Sequence, residues 1–258
     1  MKEFHELSAE LRKYLNVDTS PVAISFLKNE SDIPENAKMP LRDMKTKIAQ
    51  CQAQAMARKN GLTVAMTKED MGCAIGSHTY GFEPADKAGA VKFFLKTGYA
   101  SDETSALEIL NGLKILKSDE YKAVIYSPLD RVKITPDVIL IYLNPAQLMR
   151  CLHGSTRSTG RPVTSSFTGR AGTCTEGVLG AFIDQSPKVI VPGNGDRIWA
   201  TVQDNEMAYA FPASHLKILV EGLGVTHGNG IRYPIPSFLR YRPEIAIKLP
   251  MTDIFKSR

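Results

Sequence analysis

The chain has 258 residues, 43% of them hydrophobic and 23% charged, with a formal net charge of +5. At roughly 150 residues per domain this allows one large domain or two small ones, and either buries a core without disulfide staples. The longest apolar run, Val138 to Leu143, falls far short of the ~20 residues that span a bilayer. The N-terminal stretch mixes charge with apolar residues and lacks a cleavable apolar core. The expectation is a cytoplasmic protein with no membrane partner.

In chain order, Glu3 to Leu15 reads as an amphipathic helix, with Phe4, Leu7, Leu11 and Leu15 on one face. Pro21 introduces a strand at Val22 to Leu27, and Lys47 to Lys59 is a helix stopped by Gly61. Leu62 to Met66 is a second strand. Thr67 to Pro84 is turn-rich, punctured by Gly72, Gly76 and Gly81. Helices follow at Asp86 to Lys96 and, capped by Ser101 or Asp102, at Asp102 to Leu116. Ala123 to Tyr126 and Val138 to Leu143 are continuous apolar strands, as expected of a sheet covered on both faces. Asn144-Pro145 starts a helix that runs to about His153.

Pro162 to Phe167 reads as a strand, and Gly169 to Gly180 as a glycine-rich opening of a helix ending near Ile183. Lys188 to Val191 is strand-like and Pro192 to Asp196 a loop. Trp199 to Val202 and Met207 to Phe211 pair as a hairpin, and Ala213 to Glu221 is a helix ended by Gly222 and Gly224. The alternation predicts an α/β fold: one domain over residues 1–224, with a layered mixed sheet covered by helices. Residues 225–258 are expected to form an extended basic tail, carrying Arg232, Arg240, Arg242, Lys248, Lys256 and Arg258, and to serve as an arm in a homo-oligomer. The basic residues are too sparse and too little interleaved with aromatics for a nucleic-acid module.

The chemistry is concentrated in four cysteines. Reducing conditions disfavour structural disulfides, which leaves packing residues, metal ligands or a reactive thiol. Cys51 lies near a helix start, and Cys73 and Cys174 lie on glycine-flanked segments, where backbone N–H groups approach a ligand closely. Cys151 sits inside a helix and reads first as a core thiol, second as a fourth ligand. His78 and His153 are weaker ligand candidates. Gly193 to Arg197, together with Arg170, suggests an anion cradle built from Asn194, Arg197 and Arg170. There is no G-x-S-x-G elbow, H-E-x-x-H helix, Walker loop or dinucleotide fingerprint.

Several stretches together resemble a known family. They are Ser20-Pro21-Val22-Ala23-Ile24, Cys51-Gln52-Ala53, Gly72-Cys73-Ala74 after Thr67-x-Glu69-Asp70, Pro136 to Leu140 leading to Asn144-Pro145-Ala146-Gln147-x-Met149-Arg150, Gly169 to Thr175, and Gly193 to Arg197. Over about residues 3–223 the chain is similar to the uncharacterised prokaryotic ArCR family, domain of unknown function 169, common in anaerobes. The resemblance implies that Cys51, Cys73 and Cys174 occupy the family's cysteine positions and that Cys151 departs from the pattern. The functional expectation is an iron–sulfur protein of anaerobic metabolism. It would hold a [4Fe-4S] cluster, with a redox or Lewis-acid role, and act on a small anion or with an electron-transfer partner. The alternative is a zinc-stabilised or metal-free small-anion-binding protein.

Overall fold

The computed structural model describes residues 1–84 and 86–235. In chain order the elements are α1 (Lys2–Leu15), β1 (Val22–Leu27), α2 (Pro40–Met44), α3 (Gln50–Asn60), β2 (Val64–Thr67), α4 (Ala74–Thr79), α5 (Lys87–Lys96), α6 (Glu103–Asn111), β3 (Ala123–Pro128), β4 (Val138–Leu143), α7 (Pro145–Thr156), a π-helix (Gly172–Leu179), α8 (Gly180–Asp184), β5 (Lys188–Ile190), α9 (Asn194–Ala200), β6 (Met207–Pro212) and α10 (Leu216–Gly228). The protein is thus a layered α/β fold, as the alternation of elements requires.

The six strands form one sheet in the order β2-β3-β1-β4-β6-β5. All five strand pairings are antiparallel, with Ile24 opposite both Tyr126 and Val138 across the centre. Two isolated parallel bridges lie outside the named strand pairings, Lys38 to Val64 at the β2 edge and Ile48 to Met71. Strands β1, β3 and β4 are buried almost throughout because helices cover both faces. Side chains alternate between faces. Val22, Ile24, Val124, Tyr126, Leu140 and Tyr142 enter one core with α3, the π-helix and the end of α9. Ala23, Ile139, Ile141, Leu143, Tyr209 and Phe211 enter the other with α1, α7 and α10. Helices α5 and α6 build a small separate core around Phe94, Ala106 and Leu110, joined by Ile75.

Most helix starts obey local capping chemistry. Asp86 and Asp102 accept the backbone N–H groups of Gly89 and Ser105, and Asn144 and Gln147 cap each other's backbone at α7. Gly61 takes the left-handed conformation that ends α3 (φ 70°).

Four expectations fail for identifiable reasons. Residues 160–168 form no strand; Val189 N–H, which a ladder would use, donates to the Ser165 hydroxyl at 2.8 Å. Gly193-Asn194-Gly195-Asp196 is the start of α9 rather than a loop, because Asp196 accepts the Gly193 N–H at 2.7 Å. Trp199 is therefore helical, and β6 pairs with β4 and β5 instead of making a hairpin. Finally, α10 runs through Gly222 and Gly224 to Gly228, so no tail begins at Val225. The remainder of the proposed tail, residues 236–258, lies outside the described residues.

Gly222 does not stop α10; it lets α10 and α7 touch. A Cβ there would lie 2.1 Å from the Gly154 carbonyl oxygen, and one at Gly154 would lie 2.9 Å from the Leu219 carbonyl oxygen. The obstacle in each case is backbone, which cannot rotate away. Gly222→Ala is expected to destabilise the protein by at least about 1–3 kcal/mol in urea unfolding. Gly228→Ala, in open space on the same helix, is expected to stay within about 0.5 kcal/mol of the parent. Equal stabilities for the two variants would refute the close-contact account.

Candidate functional site

The chain brings Cys51 and Cys73 together through backbone pairing just ahead of each. Ile48 and Met71 form a parallel bridge, with Ile48 N–H on the Asp70 carbonyl (3.0 Å) and Gly72 N–H on the Ile48 carbonyl (2.8 Å). Buried Asp70 fixes this crossing: its carboxylate accepts the Thr67 N–H (3.1 Å) and hydroxyl (2.8 Å) and the Leu41 N–H (2.8 Å). Beyond the bridge the two strands of chain turn into helices. Cys51 falls in the first turn of α3, and Cys73 caps α4, its sulfur accepting the Gly76 N–H at 3.4 Å. Sulfur at a helix start sits where unpaired N–H groups and the positive end of the dipole favour negative charge.

Cys174 arrives from the far end of the sequence, in the first turn of the π-helix. Asp196 holds that turn in place. Its carboxylate accepts the Thr173 N–H (3.2 Å), the Thr173 hydroxyl and the Gly193 N–H (2.7 Å), so one buried side chain caps both the π-helix and α9. Tyr80, after α4, donates to the Cys174 carbonyl at 3.4 Å and links the Cys73 and Cys174 segments.

Cys51, Cys73 and Cys174 line one cavity of about 780 Å³, together with Arg170, Asn194 and Trp199. Burial, the nearby Asp196 charge and the Cys73 thiol push the Cys51 thiol up to about 12. The Cys174 thiol is also pushed well up, by burial first, then by Asp196 and the other two thiols. Burial raises Asp196 itself, opposed by its hydrogen bonds from Thr173 and Gly193. In isolation these two thiols are neutral at pH 7, and a positive group among them would favour their thiolates.

Under the thiols lies a polar layer. Tyr126 donates to Gln50 Oε1, and Tyr142 to Gln54 Oε1 at 2.9 Å. Gln50 and Gln54 are almost fully buried, and among the described residues their Nε2 groups have no acceptor. Arg58 stacks 3.8 Å from the Tyr142 ring centroid and pairs with Glu206 at 2.5 Å, which anchors the cysteine helix α3 to the loop after α9.

Other candidates lie elsewhere. Cys151 is fully buried in the core on the opposite face of the sheet, apart from the other three. Arg197 turns from the cavity to the Gln203 carbonyl (2.5 Å) and Asp204 (3.9 Å). His78 is not on the cavity wall, and His153 is exposed on α7. Arg170 and Asn194 do face the cavity. The sequence reading missed Asp196, although its place three residues after the helix-opening Gly193 is a capping-box spacing. It also missed Asp70, Gln50 and Gln54, whose roles depend on long-range packing.

Among the described residues no three His, Cys, Asp or Glu side chains are arranged around one metal ion. The donor set is nevertheless soft: three thiols suit iron–sulfur, zinc or cuprous chemistry. In a polynuclear cluster each thiolate binds its own iron, which needs no common point of convergence. The orphaned Gln50 amide, next in sequence to Cys51, supplies a donor of the kind that cluster sulfurs accept.

The family model described as Uncharacterised ArCR, domain of unknown function 169, matches residues 10–222. The uncharacterised protein MJ0308 of Methanocaldococcus jannaschii is 24% identical over 225 residues, covering 86% of this chain and 94% of that protein. No solved structure matches. The chain belongs to the ArCR family.

Two outcomes follow from this geometry. Asp196→Ala leaves the Thr173 and Gly193 N–H groups unanswered and is expected to cost about 1–3 kcal/mol in urea unfolding; an unchanged midpoint would contradict the double-cap role. The Cys51 thiol, at about 12 when folded against about 8.5 unfolded, stabilises the metal-free fold fully below pH ~8.5. That contribution is lost as pH rises towards 12. Stability of the metal-free parent should therefore fall between pH 8 and 10 more steeply than that of Cys51→Ala.

Proposed function

We propose that this protein is an iron–sulfur protein in which Cys51, Cys73 and Cys174 hold a [4Fe-4S] cluster, leaving one iron without a cysteine from this site. The observation that carries the reading is that three thiols, from separate segments of the sequence and each at a helix start, line one cavity. Cys151 is excluded from the set by the sheet between them.

Each residue of the site then has a defined task. The helix starts give the three sulfurs N–H donors and favourable dipoles. Asp70 and Asp196 fix the backbone that carries them. The unpartnered Gln50 amide, next in sequence to Cys51, is the donor this reading assigns to a cluster sulfur, and Arg170 offers a positive charge in the cavity lining. When bound, such a cluster supplies a transferable electron or an open coordination position for a Lewis base. Four free cysteines, and no helix among the described residues long and apolar enough to cross a membrane, favour a reducing cytoplasm. The second reading is small-anion binding, supported by zinc or by no metal. Arg170 favours it, since among the described residues it has no carboxylate partner.

Protein purified or reconstituted without oxygen should contain about four irons and four acid-labile sulfides per chain. Ser at position 51, 73 or 174 should lower both, whereas Cys151→Ser should leave them intact. The chain has a single tryptophan, Trp199, on the cavity wall, so loading should also quench its fluorescence. Zinc without iron would move the conclusion to the second reading, and no metal after anaerobic reconstitution would end the first.

A further inference from the structure

The cavity is larger than three thiols require, and much of its lining has a different character. At about 780 Å³ it falls within the range of small-molecule sites, roughly 300–1,000 Å³ and mostly apolar. Its apolar side comes from the α5–α6 pair, through Phe93, Phe94, Tyr99, Ile109 and Leu113, and from Trp199 on α9. Phe93 is 49% exposed and Trp199 is 62% exposed. Two large aromatic side chains left open on the walls of one cavity offer flat surfaces to a ring.

The polar groups are few and unevenly satisfied. Lys114 and Lys188 both pair with Asp184, at 2.8 and 2.9 Å. Arg170 is the cavity cation with no acid partner among the described residues. One Nη2 hydrogen bond to the Tyr99 carbonyl (3.1 Å) anchors it, its guanidinium lying 5.8 Å from the Tyr99 ring centroid. Among the described residues the remaining guanidinium N–H groups have no acceptor, which leaves them for a planar, two-oxygen group. Glu176 is its complement. Its Oε1 accepts the Thr168 N–H (2.9 Å) and hydroxyl, while Oε2 is buried with no donor among the described residues. An occupant that completes both groups brings an acceptor pair to Arg170 and a donor to Glu176.

The geometry points to a small-molecule site in the cavity that the thiols line, shaped for a flat aromatic carboxylate that also carries an N–H or O–H donor. The carboxylate takes the Arg170 fork, the donor meets Glu176 Oε2 once that side chain turns its buried oxygen into the cavity it lines, and the ring lies against the exposed aromatic side chains. This deepens the iron–sulfur reading by naming the class of molecule that shares its cavity. It rests on the metal-free walls, so iron analysis and ligand binding fail separately.

The test uses the full chain freed of metal by chelation, titrated calorimetrically with 3-hydroxybenzoate, benzoate, benzyl alcohol and cyclohexanecarboxylate. Saturable 3-hydroxybenzoate binding is expected, accompanied by a change in Trp199 emission. The other three probes should each bind several-fold more weakly. Arg170→Met should weaken 3-hydroxybenzoate at least about tenfold and leave benzyl alcohol unchanged, with Arg170→Lys in between. Glu176→Gln should abolish the preference for 3-hydroxybenzoate over benzoate. Trp199→Leu, a change at an exposed position, should bring the aromatic acid down to the level of cyclohexanecarboxylate. Circular dichroism identifies any variant that has failed to fold. Absence of saturable binding at millimolar probe would overturn the assignment whatever the iron content, as would equal losses for charged and neutral probes in Arg170→Met.

Discussion

The site depends on one carboxylate. Two helices start side by side in the core, the π-helix and α9, and each start leaves backbone N–H groups without a helical partner. In a buried position each such group costs the equivalent of a lost hydrogen bond. Asp196 answers both ends at once, through Thr173 and Gly193. Cys174 follows Thr173 directly, so its position is set by this double cap. Asn194 and Trp199 are set by the same cap through α9. Asp70 plays the corresponding part for Cys51 and Cys73, joining the first turn of α2 to the turn after β2. Two buried acids, neither with a lysine or arginine partner among the described residues, thus help hold the three thiol segments by backbone hydrogen bonds. Such bonds are directional and short, which is what a ligand set from distant segments requires.

The antiparallel sheet decides which thiols can cooperate. Because side chains alternate across a strand, Ile24 and Tyr142 share a face with Cys51, while Ile139 and Tyr209 share the other with Cys151. The two environments differ in polarity. Around Cys151 the core is mainly aliphatic and aromatic, and burial raises its thiol against the opposing charge of the buried Arg150. Around Cys51 and Cys174 there are a carboxylate, other thiols and buried amides. One face of the sheet is mainly a packing surface, and the other carries the three thiols that line the cavity.

Fold class and most elements were legible in the sequence because their signals are local. The apolar runs of β1, β3 and β4, the Asn144-Pro145 start of α7 and the glycine end of α3 each follow from a few adjacent residues. The failures come from tertiary context. Gly222 reads as a helix stop, but its missing side chain is used for contact with Gly154, 68 positions earlier. The glycines at 193 and 195 read as a turn, but Asp196 converts them into a helix start. Residues 162–167 have strand-forming content, yet Ser165 contacts β5 through its hydroxyl and the backbone stays outside the ladder. Of the site, the cysteine positions and Arg170 could be read from glycine flanks and family resemblance. Their convergence could not, since it depends on the Ile48–Met71 bridge and on the Asp196 cap across 23 positions.

The central claim is that Cys51, Cys73 and Cys174 act as one ligand set without Cys151. Iron K-edge X-ray absorption on anaerobically reconstituted protein tests it most directly, comparing the parent with Cys151→Ser and Cys174→Ser. The account predicts a sulfur-dominated iron shell with a close iron neighbour, identical in Cys151→Ser and depleted in Cys174→Ser. A shell of nitrogen and oxygen in the parent, or a spectrum that changes with Cys151→Ser and not with Cys174→Ser, would contradict it.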